Sequence, residues 1–112
     1  MTRLFTMAVL LAAALAAQTT PADKKNGERL YVKNGCFQCH GYQGQGGLNG
    51  ARLAQTKLTV AAFTVFVRHP PSGGMPPYRA KVMSDQELAD VYAHILTFPT
   101  PPPVGSVPLL NQ

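Results

Sequence analysis

The segment Gly35-Cys36-Phe37-Gln38-Cys39-His40-Gly41 holds both cysteines of the chain, three residues apart, with a histidine directly after the second. Two thiols at this spacing followed at once by His form the attachment pattern of a c-type haem. The chemistry accounts for the spacing. Each thiol adds to one vinyl group of the porphyrin, one turn of backbone spans the two vinyls, and the adjacent imidazole is delivered under the iron as a proximal ligand. The segment therefore predicts one haem c bound covalently at Cys36 and Cys39, with His40 on the iron.

Three other chemistries use paired cysteines. A dithiol redox pair belongs in a βαβ setting, and no strand pattern precedes Cys36. A structural zinc ion takes four ligands, so the trio would have to recruit His69 or His94. His94 lies off the apolar stripe of its helix and reads as exposed; His69 precedes Pro70 in a loop and reads as solvated. A disulfide between residues three apart is strained, and it closes too small a loop to stabilise much.

Working outward, three helical patterns flank the motif. The first runs from Pro21 to Asn34, with Thr20 as N-cap, Pro21 at the first helical position and Asp23 in the first turn. Gly27, Leu30, Tyr31 and Asn34 share one face. A glycine in mid-helix costs about 1 kcal/mol against alanine, so its place on the apolar face implies close approach of another backbone. The second pattern, Val60 to Arg68, is capped by Thr59 and stopped by Pro70-Pro71; Val60, Phe63, Phe66 and Val67 form its apolar side. Its β-branched content leaves a strand open. In the third, Ser84-Asp85-Gln86-Glu87 is a capping box, and Leu88, Val91, Tyr92, Ile95 and Leu96 form a helical stripe ended by Pro99.

Between the first two lies Gly41 to Gly50, with glycine at 41, 44, 46, 47 and 50. It reads as a wrapping loop. It is not a phosphate-binding loop, because it lacks the Gly-Lys-Ser/Thr ending and a preceding apolar strand.

The ends of the chain read differently. Met1-Thr2-Arg3, the uncharged run from Leu4 to Ala17 and the small-x-small string Ala14-Leu15-Ala16 form a secretory signal peptide over 1–16. At 14 residues the run is short of the ~20 needed to span a bilayer, and no later stretch is apolar enough to do so. Cleavage leaves one domain over 17–98 and a Pro-rich tail over 99–112, read as an extended or polyproline-like arm. A domain this small needs a staple, and a large buried cofactor suits it better than one short disulfide. Export also places the chain where haem c is attached, so the location expected is periplasmic.

Without Arg3 the mature chain holds nine Lys and Arg against five Asp and Glu, a charge of +4. The basic residues are scattered and not interleaved with aromatics, which argues against nucleic acid. They are either a solvated surface or a means of steering toward an acidic partner.

The order Gly27-x-x-x-Tyr31, Cys-x-x-Cys-His, Gly-rich loop, Met75-Pro76-Pro77, amphipathic C-terminal helix resembles class I cytochrome c, the small bacterial single-haem type. The resemblance covers residues 21 to 98. It implies an all-α fold of three to four helices around one haem, with N- and C-terminal helices crossing at Gly27, Tyr31 and Tyr92. It also points to a distal iron ligand. Past the signal only Met75 and Met83 remain. Gly73-Gly74-Met75-Pro76-Pro77-Tyr78 is similar to the family's distal-ligand string, and its prolines stiffen the loop. Met83 sits just before a helix N-cap, a core-filling position.

One position departs from the family's Gly-Pro-x-Leu string, whose carbonyl accepts the proximal His N–H. Here the residues are Gly50-Ala51-Arg52-Leu53, so the carbonyl behind His40 belongs to a less restrained residue. Arg52 is a candidate haem-propionate contact; Arg68 is a weaker one.

With both axial positions filled, the resemblance implies one-electron transfer between periplasmic or membrane redox proteins and no catalytic residues. Two alternatives stand beside it: a haem subunit of a dehydrogenase or oxidase complex, docked through the tail, and a peroxidase-like or ligand-binding haem with a labile Met75.

Overall fold

The computed structural model describes residues 20–71 and 73–112, so the expected signal peptide over 1–16 and the domain start at 17 lie outside the described residues. Among the described residues four α-helices follow in order: α1 (Lys24–Lys33), α2 (Cys36–His40), α3 (Val60–Arg68) and α4 (Asp85–Ile95). Among the described residues there is no strand beyond an isolated bridge, Gly47 to Gly50, so the fold is all-α. No helix among them is long and apolar enough to cross a membrane.

The helix ends follow local chemistry. Asp23, not Thr20, caps α1: its carboxylate accepts from the N–H groups of Lys25 (2.9 Å) and Asn26 (3.1 Å). The helix therefore starts three residues later than Pro21 suggests, because a charged acceptor at the cap satisfies two free donors at once. Thr59 caps α3 through Ala62 N–H at 3.2 Å. The strand alternative fails there; the Thr64 hydroxyl bonds the Val60 carbonyl at 2.8 Å instead. Ser84 and Glu87 close the capping box of α4 from both sides.

The core is built from one face of each longer helix: Leu30 and Tyr31 of α1, Phe63 and Val67 of α3, and Leu88, Val91 and Ile95 of α4. Ala54, Met83 and Phe98 complete it from the connections. Met83 thus fills the core, as its position implies. Three expected core positions are exposed instead: Val60, Phe66 and Leu96. Helical spacing defines a face wider than the neighbours cover, and on α3 it is Phe63 and Val67 that are buried.

Where α1 meets α4 the two backbones touch. A Cβ on Gly27 would lie 1.9 Å from the Asp90 carbonyl oxygen, so only glycine permits this approach. Beside it the Asp90 side chain is buried, accepting from Asp23 N–H (2.8 Å), Asn26 Nδ2 (2.8 Å) and Gln86 Nε2 (3.1 Å). Burial works to raise its pKa, but these three bonds outweigh it and hold the carboxyl below its ordinary value. The crossing is therefore sealed by a close backbone contact and a buried charge with its partners in place.

The tail is not a simple extended arm. It contains two 3₁₀ turns, Val104–Ser106 and Pro108–Leu110, tied together by Asn111 Nδ2, which donates to the carbonyls of Gly105 and Val107 at 3.0 Å. Its root is held by Gln55, whose amide donates to the carbonyls of Phe98 (3.3 Å) and Pro99 (3.0 Å).

Candidate haem site

Gly35, at φ 75°, ends α1 and starts α2 in a left-handed conformation that favours glycine. The single turn Cys36–His40 that follows puts Cys36 half-buried against the core, Cys39 exposed and His40 half-buried. The two thiols are unpaired. Burial pushes the Cys36 thiol up to about 11, with a backbone hydrogen bond pulling weakly the other way. A reactive redox cysteine has the opposite shift.

His40 Nδ1 lies 2.6 Å from the Ala51 carbonyl oxygen. A carbonyl only accepts, so Nδ1 carries the proton and Nε2 presents its lone pair, the form in which imidazole binds a metal. The expected looseness at Ala51 is offset by the loop around it. Gly46 N–H donates to the His40 carbonyl (2.9 Å) and Gly47 N–H to the Gly50 carbonyl (3.0 Å). Gly50 sits so close that a Cβ there would meet the Cys39 carbonyl oxygen at 2.5 Å. Close packing of the loop on α2 does what a proline ring does by fixing φ.

Further out, the Gly44 carbonyl accepts from Leu53 N–H (2.8 Å) and Ala54 N–H (2.9 Å), folding the Gly-rich loop back on itself. Tyr31 crosses beneath, its hydroxyl donating to the Gly41 carbonyl at 2.7 Å. Burial, helped by the nearby Cys36 thiol, pushes that hydroxyl up to about 12. Tyr78 is raised for the same reasons, with Cys36 and Cys39 both contributing, and its hydroxyl donates to the Asn34 carbonyl at 2.8 Å. Tyr78 therefore ties the Met75-Pro76-Pro77 segment to the end of α1, just before α2. Met75 is half-buried and packs on the same core cluster as Cys36 and Phe37.

Other expectations change. His94 is half-buried, edge-on to Tyr31 (5.4 Å between centroids) and Phe98 (4.9 Å); burial lowers its pKa, against a smaller opposing pull from Glu28. It reads as exposed in the sequence because its covering partners come from α1 and the turn after α4. His69 is exposed as expected. Among the described residues no three His, Cys, Asp or Glu side chains converge as metal ligands, which removes the zinc alternative. Arg52 is exposed and donates to Gln55 Oε1. Arg68 is neither solvated nor free for a propionate: it bonds the carbonyls of Tyr78 and Met83 and the carboxylate of Asp85.

Sequence reasoning misses Asp90 and the engagement of Arg68. Asp90 has one signal, its i, i+4 spacing from Gln86 next to the Leu88–Val91 stripe. Nothing local marks Arg68.

The donor set, one imidazole with its second nitrogen engaged, a thioether and two thiols on a single turn, fits haem c and no common mononuclear site. An all-helical domain with such a motif defines the class of haem-binding c-type cytochromes. Residues 22–95 match the family model described as cytochrome c oxidase, cbb3-type, subunit III, and the chain belongs to this cytochrome c family, whose domains bind haem and transfer electrons. No curated protein and no solved structure matches it.

Proposed function

We propose that the chain carries single electrons through one haem c, held by thioether bonds at Cys36 and Cys39, with His40 and Met75 as axial ligands. The observation that carries this reading is the Nδ1 bond of His40 to the Ala51 carbonyl, which fixes the ring and leaves Nε2 to the iron. Bound haem supplies the one-electron Fe(III)/Fe(II) couple. The residues set its terms: Met75 as a thioether favours the reduced state, the Tyr31 and Tyr78 hydroxyls brace the backbone on either side of α2, and Phe37 and Leu53 add apolar cover. Arg52, one residue past Ala51, suits a propionate.

Residues 1–16 serve as a cleaved signal, residues 17–98 as the haem domain in the periplasm, and residues 99–112 as an appendage. The net charge of the mature chain favours a redox partner with an acidic docking surface. A second reading is supported by the match to an oxidase subunit family: the domain acts as a fixed haem subunit of an oxidase rather than as a free carrier.

The test is a spectroelectrochemical titration of the holoprotein and two variants. Wild type should titrate as a single one-electron couple and show the weak red-edge ferric thioether band. Met75→Ala should abolish that band and lower the midpoint potential, while Met83→Ala should retain it. Loss of the band in Met83→Ala instead would show the ligand to be misassigned.

A further inference from the structure

The segment carrying Met75 leaves α3 at His69 and returns to it at Tyr78, where the main chain is held from two sides. Tyr78 N–H donates to the Val67 carbonyl at 3.1 Å, and Arg68 Nη1 donates to the Tyr78 carbonyl at 2.8 Å. The same nitrogen donates to the Met83 carbonyl at 2.6 Å, and Nη2 meets Asp85 Oδ1 at 2.7 Å. One guanidinium thus ties the end of α3 to both ends of the turn that leads from Tyr78 into α4.

The exposures decide which of these bonds matter. The Arg68 side chain is 14% exposed and that of Asp85 is 87% exposed. An ion pair with so wet a partner is weak and screened by salt. The carbonyl bonds have a charged donor in a sheltered place, and they are the stronger set.

We infer that Arg68 is a positioning residue for Met75, fixing the return of the distal segment and so setting how firmly the thioether holds the iron. The inference rests on Met75 being the distal ligand. Only Pro76 and Pro77 separate Met75 from Tyr78, and each has a ring-locked φ. The segment Met75-Pro76-Pro77-Tyr78 has few free main-chain torsions, so a shift at Tyr78 is carried to the Met75 backbone. A lysine replaces the guanidinium only in part: its ammonium can donate to two carbonyls, but on a stem one bond shorter and without the second nitrogen that meets Asp85.

The experiment uses full-chain ferric holoprotein: wild type, Arg68→Ala, Arg68→Lys, Asp85→Asn and Met75→Ala. Cyanide binding rate and the red-edge band are read, with haem content and far-UV circular dichroism as checks of the fold. Arg68→Ala should keep its haem and helices yet bind cyanide about tenfold faster or more, with a weakened band. Arg68→Lys should fall between it and wild type, and Asp85→Asn should stay within about twofold of wild type. If Arg68→Ala yields no folded holoprotein, Arg68→Lys decides alone: faster cyanide binding supports the inference and a wild-type rate overturns it. An Asp85→Asn effect as large as that of Arg68→Ala would overturn the assignment to the carbonyl bonds. Met75→Ala separates the premise from the inference. A band surviving in Met75→Ala sinks the ligand reading itself, whereas its loss there, with wild-type behaviour in both Arg68 variants, sinks only the role of Arg68.

Discussion

Replacing Gly27 by alanine sets two effects against each other. Alanine is the better helix former by about 1 kcal/mol, which favours the variant. Against it, the new Cβ would stand 1.9 Å from the Asp90 carbonyl oxygen, 2.4 Å from its carbon and 2.9 Å from Val91 N. All three are backbone atoms of α4, so no rotamer change relieves the clash. Restoring an ordinary contact near 3.5 Å means parting the helices by roughly 1.5 Å. That movement stretches the Asp90 bonds to Asp23 N–H and Asn26, both now 2.8 Å. Overpacking of this kind costs about 1–3 kcal/mol, and strained bonds to a buried charge add about 1–3 more. After the helix-propensity gain the net is a destabilisation of about 1–5 kcal/mol, or at least about 4 °C in Tm for a domain of this size. Thermal unfolding of the holoprotein followed by far-UV circular dichroism measures it directly. A Tm equal to or above that of wild type would refute the reasoning, because it would mean α1 and α4 do not meet at Gly27.

Acid should unfold the protein partly through Asp90. Its carboxyl is held below the ordinary value, so its contribution is complete above about pH 4 and is lost as pH falls through the folded value; Asp90→Asn should flatten that limb of the stability curve measured in urea. Ala51→Pro removes no backbone hydrogen bond, since the Ala51 N–H is not a donor in the backbone network, and it should raise stability by up to about 1 kcal/mol with the haem spectrum unchanged. A loss of haem incorporation would show that the loop needs freedom at that position. Truncation after Pro99 keeps both Gln55 bonds and should leave haem content intact, with a change in unfolding free energy below about 1 kcal/mol.

The features legible in the sequence are those decided locally. The capping box at Ser84 and Glu87, the Thr59 cap and the extent of α3 depend on residues within one turn, and each is found where the spacing implies. Gly27 is legible because a mid-helix glycine on an apolar face costs helix stability, and a close backbone approach is what offsets that cost. The start of α1 is ambiguous by three residues because Thr20, Pro21 and Asp23 all carry start signals and only geometry ranks them. Phe66, Leu96 and His94 escape the pattern because burial depends on which neighbour arrives, and spacing defines a face without saying how much of it is covered. The bonds of Asp90 to Asp23 and Asn26 join residues 67 and 64 apart, and those of Arg68 reach residues 10 to 17 away. Neither pairing leaves a periodic trace. The hold on His40 is hidden for a related reason: a missing proline is visible in a string of letters, whereas the packing of Gly50 on Cys39 is not.

The central claim is a single haem bonded to Cys36 and Cys39. Its most direct test is the intact mass, under denaturing conditions, of the chain isolated from a host that matures c-type cytochromes. The expected mass is that of the processed polypeptide plus one haem, reverting to the polypeptide alone when Cys36 and Cys39 are both replaced by alanine. A wild-type mass equal to the bare polypeptide, or two hydrogens below it as a disulfide would give, would contradict the claim.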